Sequence, residues 1–193
     1  MIQKKCFNVV ALLVVAIGFV SAGIVGWNSH EHGPRTRAAW VFKAHRLADL
    51  SARADAIVLA QAGPTMFSRL AMSDDGDDTL PFEMTEFTIL RSLRGPAAGE
   101  TIHIERTGGD DPFDGVRVVI DADGGEFERE ATYLLFLEQD PTGAYYIQIN
   151  DQARYTVRGS RLESVDEDDV VSRVLHGQSV EAAWARVRHS TNF

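Results

Sequence analysis

The stretch from Ala54 to Gly159 decides the fold. It runs A-D-A-I-V-L-A-Q (54–61), F-T-I-L-R-S-L-R-G (87–95), G-E-T-I-H-I (99–104), Y-L-L-F-L-E (133–138) and Y-Y-I-Q-I (145–149), with acidic, glycine-rich turns between. Ala56 to Ala62 is a continuous apolar run typical of a central strand, and Gly63-Pro64 is expected to stop it. Thr65 to Pro81 then reads as a long polar loop. From Phe82 to Arg94, Phe87, Ile89 and Leu93 share one face and Thr88 and Ser92 the other, over a length that implies a bent or bulged strand. Ile102 and Ile104 alternate with Thr101, His103 and Glu105, and Val116, Val118 and Ile120 repeat the pattern. Tyr133 to Leu137 is apolar on both faces, as in a strand covered on both sides. Asp140-Pro141-Thr142-Gly143 makes the hairpin to Tyr145–Asn150. Tyr155 and Val157 are expected to close the barrel, with Arg154 and Arg158 outside. About six strands of this kind build a closed or partly open barrel.

The flanks have a different period. Trp40, Ala44 and Leu47 recur at helical spacing, which predicts a helix from about Thr36 to Ala52. Ser164-Val165-Asp166-Glu167 resembles a capping box ahead of Val170, Val171, Val174 and Leu175, with His176-Gly177 as the stop. A second helix from Ser179 carries Val180, Ala183, Trp184 and Val187 on one face and ends in Arg186, Arg188 and His189. These helices are expected to cap the barrel.

Upstream, Lys4 and Lys5 precede an uncharged run from Cys6 through Ser29. Val20-Ser21-Ala22 fits a signal-peptide cleavage site, while Ile24, Val25 and Trp27 extend the run to the ~20 residues of an uncleaved span. Either reading exports everything after Trp27. The sole cysteine, Cys6, precedes that exported part, so no disulfide reinforces the domain.

The chain carries 19 basic and 28 acidic side chains, a net charge of −9, and loss of residues 1–22 would take two lysines and no acid with it. An acidic balance opposes binding to nucleic-acid backbones or anionic lipid. Phe87, Tyr133, Phe136, Tyr145, Tyr146 and Tyr155 offer stacking surfaces but fall mostly at inward positions, and nucleic acid is excluded as a partner.

The order of these strands and turns, with Leu93-Arg94-Gly95 and Tyr133-Leu134-Leu135-Phe136 as its most specific words, resembles exported bacterial domains with the OB-like barrel of the tissue inhibitors of metalloproteinases. The resemblance covers about Ala54 to Gly159 and implies a fold more than an activity. Those inhibitors chelate a protease zinc through an N-terminal cysteine and are stapled by disulfides. The exported part here has no cysteine, so that inhibition is not available to it. The resulting organisation is a signal peptide or transmembrane anchor (1–28), a linker and helix (29–53), a small OB-like Greek-key β-barrel (54–160) and C-terminal helices (161–193).

Candidate sites are sparse. His30-Glu31-His32 sets two imidazoles and a carboxylate together, but three ligands in a linker make a poor cage. Asp121, Asp123 and Glu126 resemble the start of a calcium loop, without the third alternating acid and the distal bidentate glutamate. Gly108-Gly109 and Gly124-Gly125 lack phosphate-loop spacing. Glu105, His103, Asp110 and Asp114 are brought together only by chain proximity, so no catalytic residue is assigned. The expectation is a non-catalytic extracytoplasmic binding module that engages an extracellular or envelope protein. Its rim comprises Asp74, Asp75, Asp77, Asp78, Asp110, Asp111 and Asp114, because connections carry recognition while strands carry packing. The alternatives are an inhibitor of an extracellular peptidase, or an envelope or adhesion domain that takes calcium as its cofactor.

Overall fold

Strands β2 (Ala56–Met72) and β3 (Thr79–Arg94) form the longest hairpin of the molecule, and β4 (Thr101–Thr107) pairs along the far side of β3. The computed structural model describes residues 35–36, 42–72, 79–113, 115–120 and 124–191. The expected signal or anchor segment and His30-Glu31-His32 lie outside them. Among the described residues no helix is long and apolar enough to cross a membrane.

Strand β7 (Thr132–Gln139) pairs antiparallel with β2 on one edge. Its other edge is shared: the first half pairs with β9 (Arg154–Arg158) and the second with β8 (Tyr146–Gln148). Strand β8 also pairs, in parallel, with β4, so the sheet partly closes into a ring in the order β2-β3-β4-β8-β7. Strand β10 (Arg161–Ser164) continues outward from β9. A small second sheet joins β1 (Arg35–Thr36), β6 (Arg117–Ile120) and β5 (Gly109–Asp110).

Alternation along β2 and β7 builds two cores, one on each face. Inside the ring, Ala56, Val58, Ala60 and Ala62 meet Tyr133, Leu135 and Leu137, together with Phe87, Ile89, Ile102, Ile104 and Phe127. Small residues on β2 leave room for the rings of Phe87, Phe127 and Tyr133, which pack edge to face at centroid separations of 4.8, 5.3 and 6.0 Å. Outside the ring, Ile57, Leu59, Leu134 and Phe136 meet helices α1 (Leu47–Arg53), α2 (Ser172–Leu175) and α3 (Val180–Ser190) through Leu50, Leu175, Ala183, Trp184 and Val187. Each fully buried aliphatic or aromatic side chain contributes about 1.5–3 kcal/mol. The helices therefore cover the outer face of β2, β7 and β9.

Several expectations are corrected. Among the described residues the helix forecast for 36–52 runs only from Leu47, because the backbone at Phe42 and Ala44 is bonded by buried amides instead. Gln152 accepts from the Ala44 N–H at 2.8 Å and donates to its carbonyl at 3.1 Å, while Asn150 donates to the Phe42 carbonyl at 3.2 Å. The forecast loop from Thr65 to Pro81 is largely strand. Gly63-Pro64 is absorbed by a register shift between Ala62 and Thr65, a place where the missing proline N–H costs no ladder bond, and β2 runs on. Ser164 belongs to β10 and bonds His176 Nδ1 rather than capping a helix. Asp169 does the capping, accepting from the N–H groups of Val171 and Ser172. Helix α3 starts beside Ser179 as expected, and Ser179 caps it by accepting from the Ala182 N–H at 3.2 Å.

The ring closes through β8, and the faces of β9 are reversed from the expectation. Register on β7 sets Tyr155 opposite outward Leu134 and Arg154 opposite inward Leu135. Tyr155 is thus wholly buried in the outer core, against Phe136. Arg154 enters the mouth of the partly closed ring, its guanidinium 4.2 Å from the Phe127 ring centroid and 4.9 Å from that of Tyr133. Donation to the carbonyls of Gly125 and Glu126, at 2.6 and 2.8 Å, satisfies the buried cation.

Candidate interaction surface

Beyond Ala62 the β2–β3 hairpin leaves the ring and becomes an arm. Strand β7 pairs with β2 only through Gln61, and the Ala62 N–H and carbonyl bond Ala131 and Glu130. Among the described residues no strand follows along the outer edge of Thr65–Met72. Its other edge is paired with Thr79–Thr85, and β4 supports the arm as far as Thr107.

The arm is held by polar rungs. The hydroxyls of Thr65 and Thr85 lie 2.8 Å apart across the hairpin. Farther out, Glu105 on β4 is almost fully buried and accepts from Arg69 Nη2 at 2.9 Å and Ser68 Oγ at 2.6 Å. The Arg69 guanidinium also stacks 3.9 Å from the Phe82 ring centroid. On the opposite face Glu83 and Arg106 pair at 2.8 Å, with side chains only 9 and 6 % exposed. Burial raises the pKa of Glu83 above its ordinary value, more than Arg106 lowers it.

The β5–β6 hairpin lies over this buried pair. Gly109 has φ +104°, and a Cβ there would stand 2.9 Å from Glu83 Oε2, so glycine answers both the backbone and the close approach. Asp111 accepts from Thr79 Oγ1 at 3.1 Å and from the Phe113 N–H at 2.8 Å. One buried carboxylate thus joins the base of the 111–116 turn to the distal end of the arm. Arg117 pairs with Asp110 at 2.7 Å and also with Glu126.

Large apolar side chains face solvent on both hairpins. On β2, Met66, Phe67 and Met72 are 50, 44 and 69 % exposed, and Phe113 in the β5–β6 turn is 84 % exposed. Val116 beside it is also exposed. A surface pocket of about 530 Å³ at α1 and the end of α3 offers less, since its arginines are committed: Arg46 pairs with Asp49, and Arg94 donates to the carbonyls of Ser51 and Ala54.

The residues singled out in the sequence meet different fates. Asp74, Asp75, Asp77, Asp78, Asp114, Asp121 and Asp123 lie outside the described residues. Asp110 is exposed and ion-paired, and Glu126 of the calcium-like run is engaged by the same arginine. Asp111 is 5 % exposed and bonded within its own turn, so it supports the rim without presenting itself. Glu105 and Asp110 are bound to different arginines. Among the described residues no group of three His, Cys, Asp or Glu side chains is placed to hold a metal ion. The Arg69–Glu105 pair and exposed Met66, Phe67 and Met72 escaped sequence reading, because T-M-F-S-R-L-A-M (65–72) alternates too weakly to have signalled a strand. No family model, no curated protein and no solved structure matches the chain.

Proposed function

We propose that this chain is an exported, non-catalytic binding module built on an OB-like barrel, and that it engages an extracytoplasmic protein through the tips of its two neighbouring hairpins. The OB reading is supported by the ring order. Numbered along the chain, its strands run first, second, third, fifth, fourth, with third and fifth parallel. The binding reading rests on one observation: large apolar side chains, above all Phe113, stand in solvent on hairpins whose polar groups are already paired internally. Exposed aromatic anchors on a supported loop are what protein interfaces bury at their centres.

The test is capture from the producing cell's envelope and supernatant by the full-length chain, compared with its Phe113→Glu variant. A partner retained by the wild type and lost with the variant is the expected result. Equal recovery with both proteins, or nothing above background, would overturn the reading.

A further inference from the structure

The outer edge of Thr65–Met72 presents unpaired strand backbone together with Met66, Phe67 and Met72, and nothing among the described residues covers it. Natural edge strands are commonly blunted by charge, above all lysine. Here the strand carries a single charge, Arg69, and Glu105 neutralises it. From this edge we infer that two copies of the chain associate by antiparallel pairing of their Thr65–Met72 strands, extending the β2–β3 sheet across a twofold axis.

Charge selects a second copy as the occupant. The chain carries a net charge of −9, so two copies repel wherever their acidic surfaces meet. The arm is the exception. Along its free edge the one charged side chain, Arg69, is neutralised by Glu105, and behind it the buried Glu83 and Arg106 neutralise each other. No register of the paired strands then brings unneutralised like charges face to face. Direction follows from the same argument. The residues joining β2 to β3 include Asp74, Asp75, Asp77 and Asp78. Antiparallel pairing sends the two acidic connections to opposite ends of the joined sheet, whereas parallel pairing would stack them. A basic partner would be drawn to the acidic residues elsewhere on the chain rather than to this neutral edge.

The size of the contact sets its strength. Eight residues of strand bury less than the roughly 1,600 Å² of a standard stable interface, so the dimer is reversible and weak, dissociating at tens of micromolar or thereabouts. Apolar side chains at the edge keep it from vanishing: Met66, Phe67 and Met72 lose water on both copies at once. The contact is independent of the Phe113 tip.

The experiment is sedimentation velocity on the full-length chain in mild detergent, from about 1 to 100 µM, with the Met66→Lys/Met72→Lys double variant and Val170→Lys as a control at an exposed valine elsewhere. The expected result is a concentration-dependent dimer in the wild type and in Val170→Lys, and roughly tenfold weaker association in the double variant. Added salt should leave the dimer intact or strengthen it, since it screens the repulsion between acidic copies. Without any substitution, amide exchange over 65–72 should slow as concentration rises while that of Ala56–Gln61 stays unchanged. A wild type that stays monomeric, a dimer equally strong in the double variant, one that dissolves in salt, or exchange at 65–72 that ignores concentration would each overturn the inference. The Phe113→Glu variant should dimerise as the wild type does, so loss of the captured partner and loss of the dimer are separate failures.

Discussion

The two halves of the β2–β3 hairpin are the same pair of strands stabilised in two different ways. At the base, Ala56 to Ala62 is buried on one face by Phe87, Tyr133 and Leu135, and Ile57 and Leu59 are buried on the other by Leu134, Phe136 and the helices. Beyond Ala62 the apolar contacts stop and paired polar groups take over: Thr65 with Thr85, Arg69 with Glu105, Glu83 with Arg106. The comparison teaches that the base derives its stability from burial, whereas the arm derives shape and register from a few directional contacts. Nearly non-directional packing tolerates repacking. A charged rung in a partly dry site does not.

The largest expected effect tests the base. Phe136→Ala should cost about 3–5 kcal/mol in urea unfolding, because the side chain is fully buried between sheet and helices. A loss below about 1 kcal/mol would show that the outer core is looser than its packing implies.

Next comes the arm ion pair whose two side chains are both buried. Glu83→Leu removes an ion-pair partner of a cation that is itself 6 % exposed, and should cost about 3 kcal/mol. The double variant Glu83→Leu/Arg106→Met should recover most of that loss, since apolar replacement of both charges removes the desolvation penalty as well as the attraction. Equal losses in single and double variants would erase the distinction drawn between arm and base.

A smaller effect probes the strap that leads into α1. Gln152→Leu leaves the Ala44 N–H and carbonyl without their partner and should cost about 1–3 kcal/mol. The same network gives a pH dependence. Burial pushes the Asp169 carboxyl up, but the N–H groups of Ser172 and Val171, the Gln152 amide and Lys43 outweigh it and hold the pKa at about 2, below the ordinary 3.8. A depressed acid stabilises the fold fully above its unfolded value, and that contribution is lost as pH falls from about 4 towards about 2. Asp169→Asn should flatten this part of the stability profile in acid-titrated unfolding.

The smallest effect is local. Arg69→Ala breaks a pair whose arginine is about half exposed, so global stability should fall by less than about 1 kcal/mol. Amide exchange should accelerate across Thr65–Met72 while Ala56–Gln61 keeps its protection. Acceleration along the whole hairpin would join the two halves into one cooperative unit.

Much of the ring of strands was legible because its alternation is strong: Phe87 and Ile89 are buried between exposed Thr88 and Leu90, as the pattern requires. The turn at Asp140–Gly143 and the helix start near Ser179 were legible for a similar reason, being local chemistry. Gly63-Pro64 misled because a breaker ends a strand only when no neighbour can absorb the irregularity, and here β3 does so. The candidate surface was half legible. The 108–115 turn was singled out for its aspartates, whereas the exposed side chains there and on the arm are Phe113, Met66, Phe67 and Met72. Exposure depends on which neighbours arrive, and the motif around a side chain does not carry that information.

By itself, the amino-acid sequence determined a β-rich domain of acidic net charge, and it marked the helix that starts after Ser179. These follow from composition, period and local hydrogen bonding. Only the tertiary structure decided that β8 closes the ring, that Arg154 points inward while Tyr155 points outward, and that Asp111 is buried beneath its own turn. Each depends on register between strands distant in sequence, and a shift of one residue exchanges the faces of a strand while leaving its sequence pattern the same.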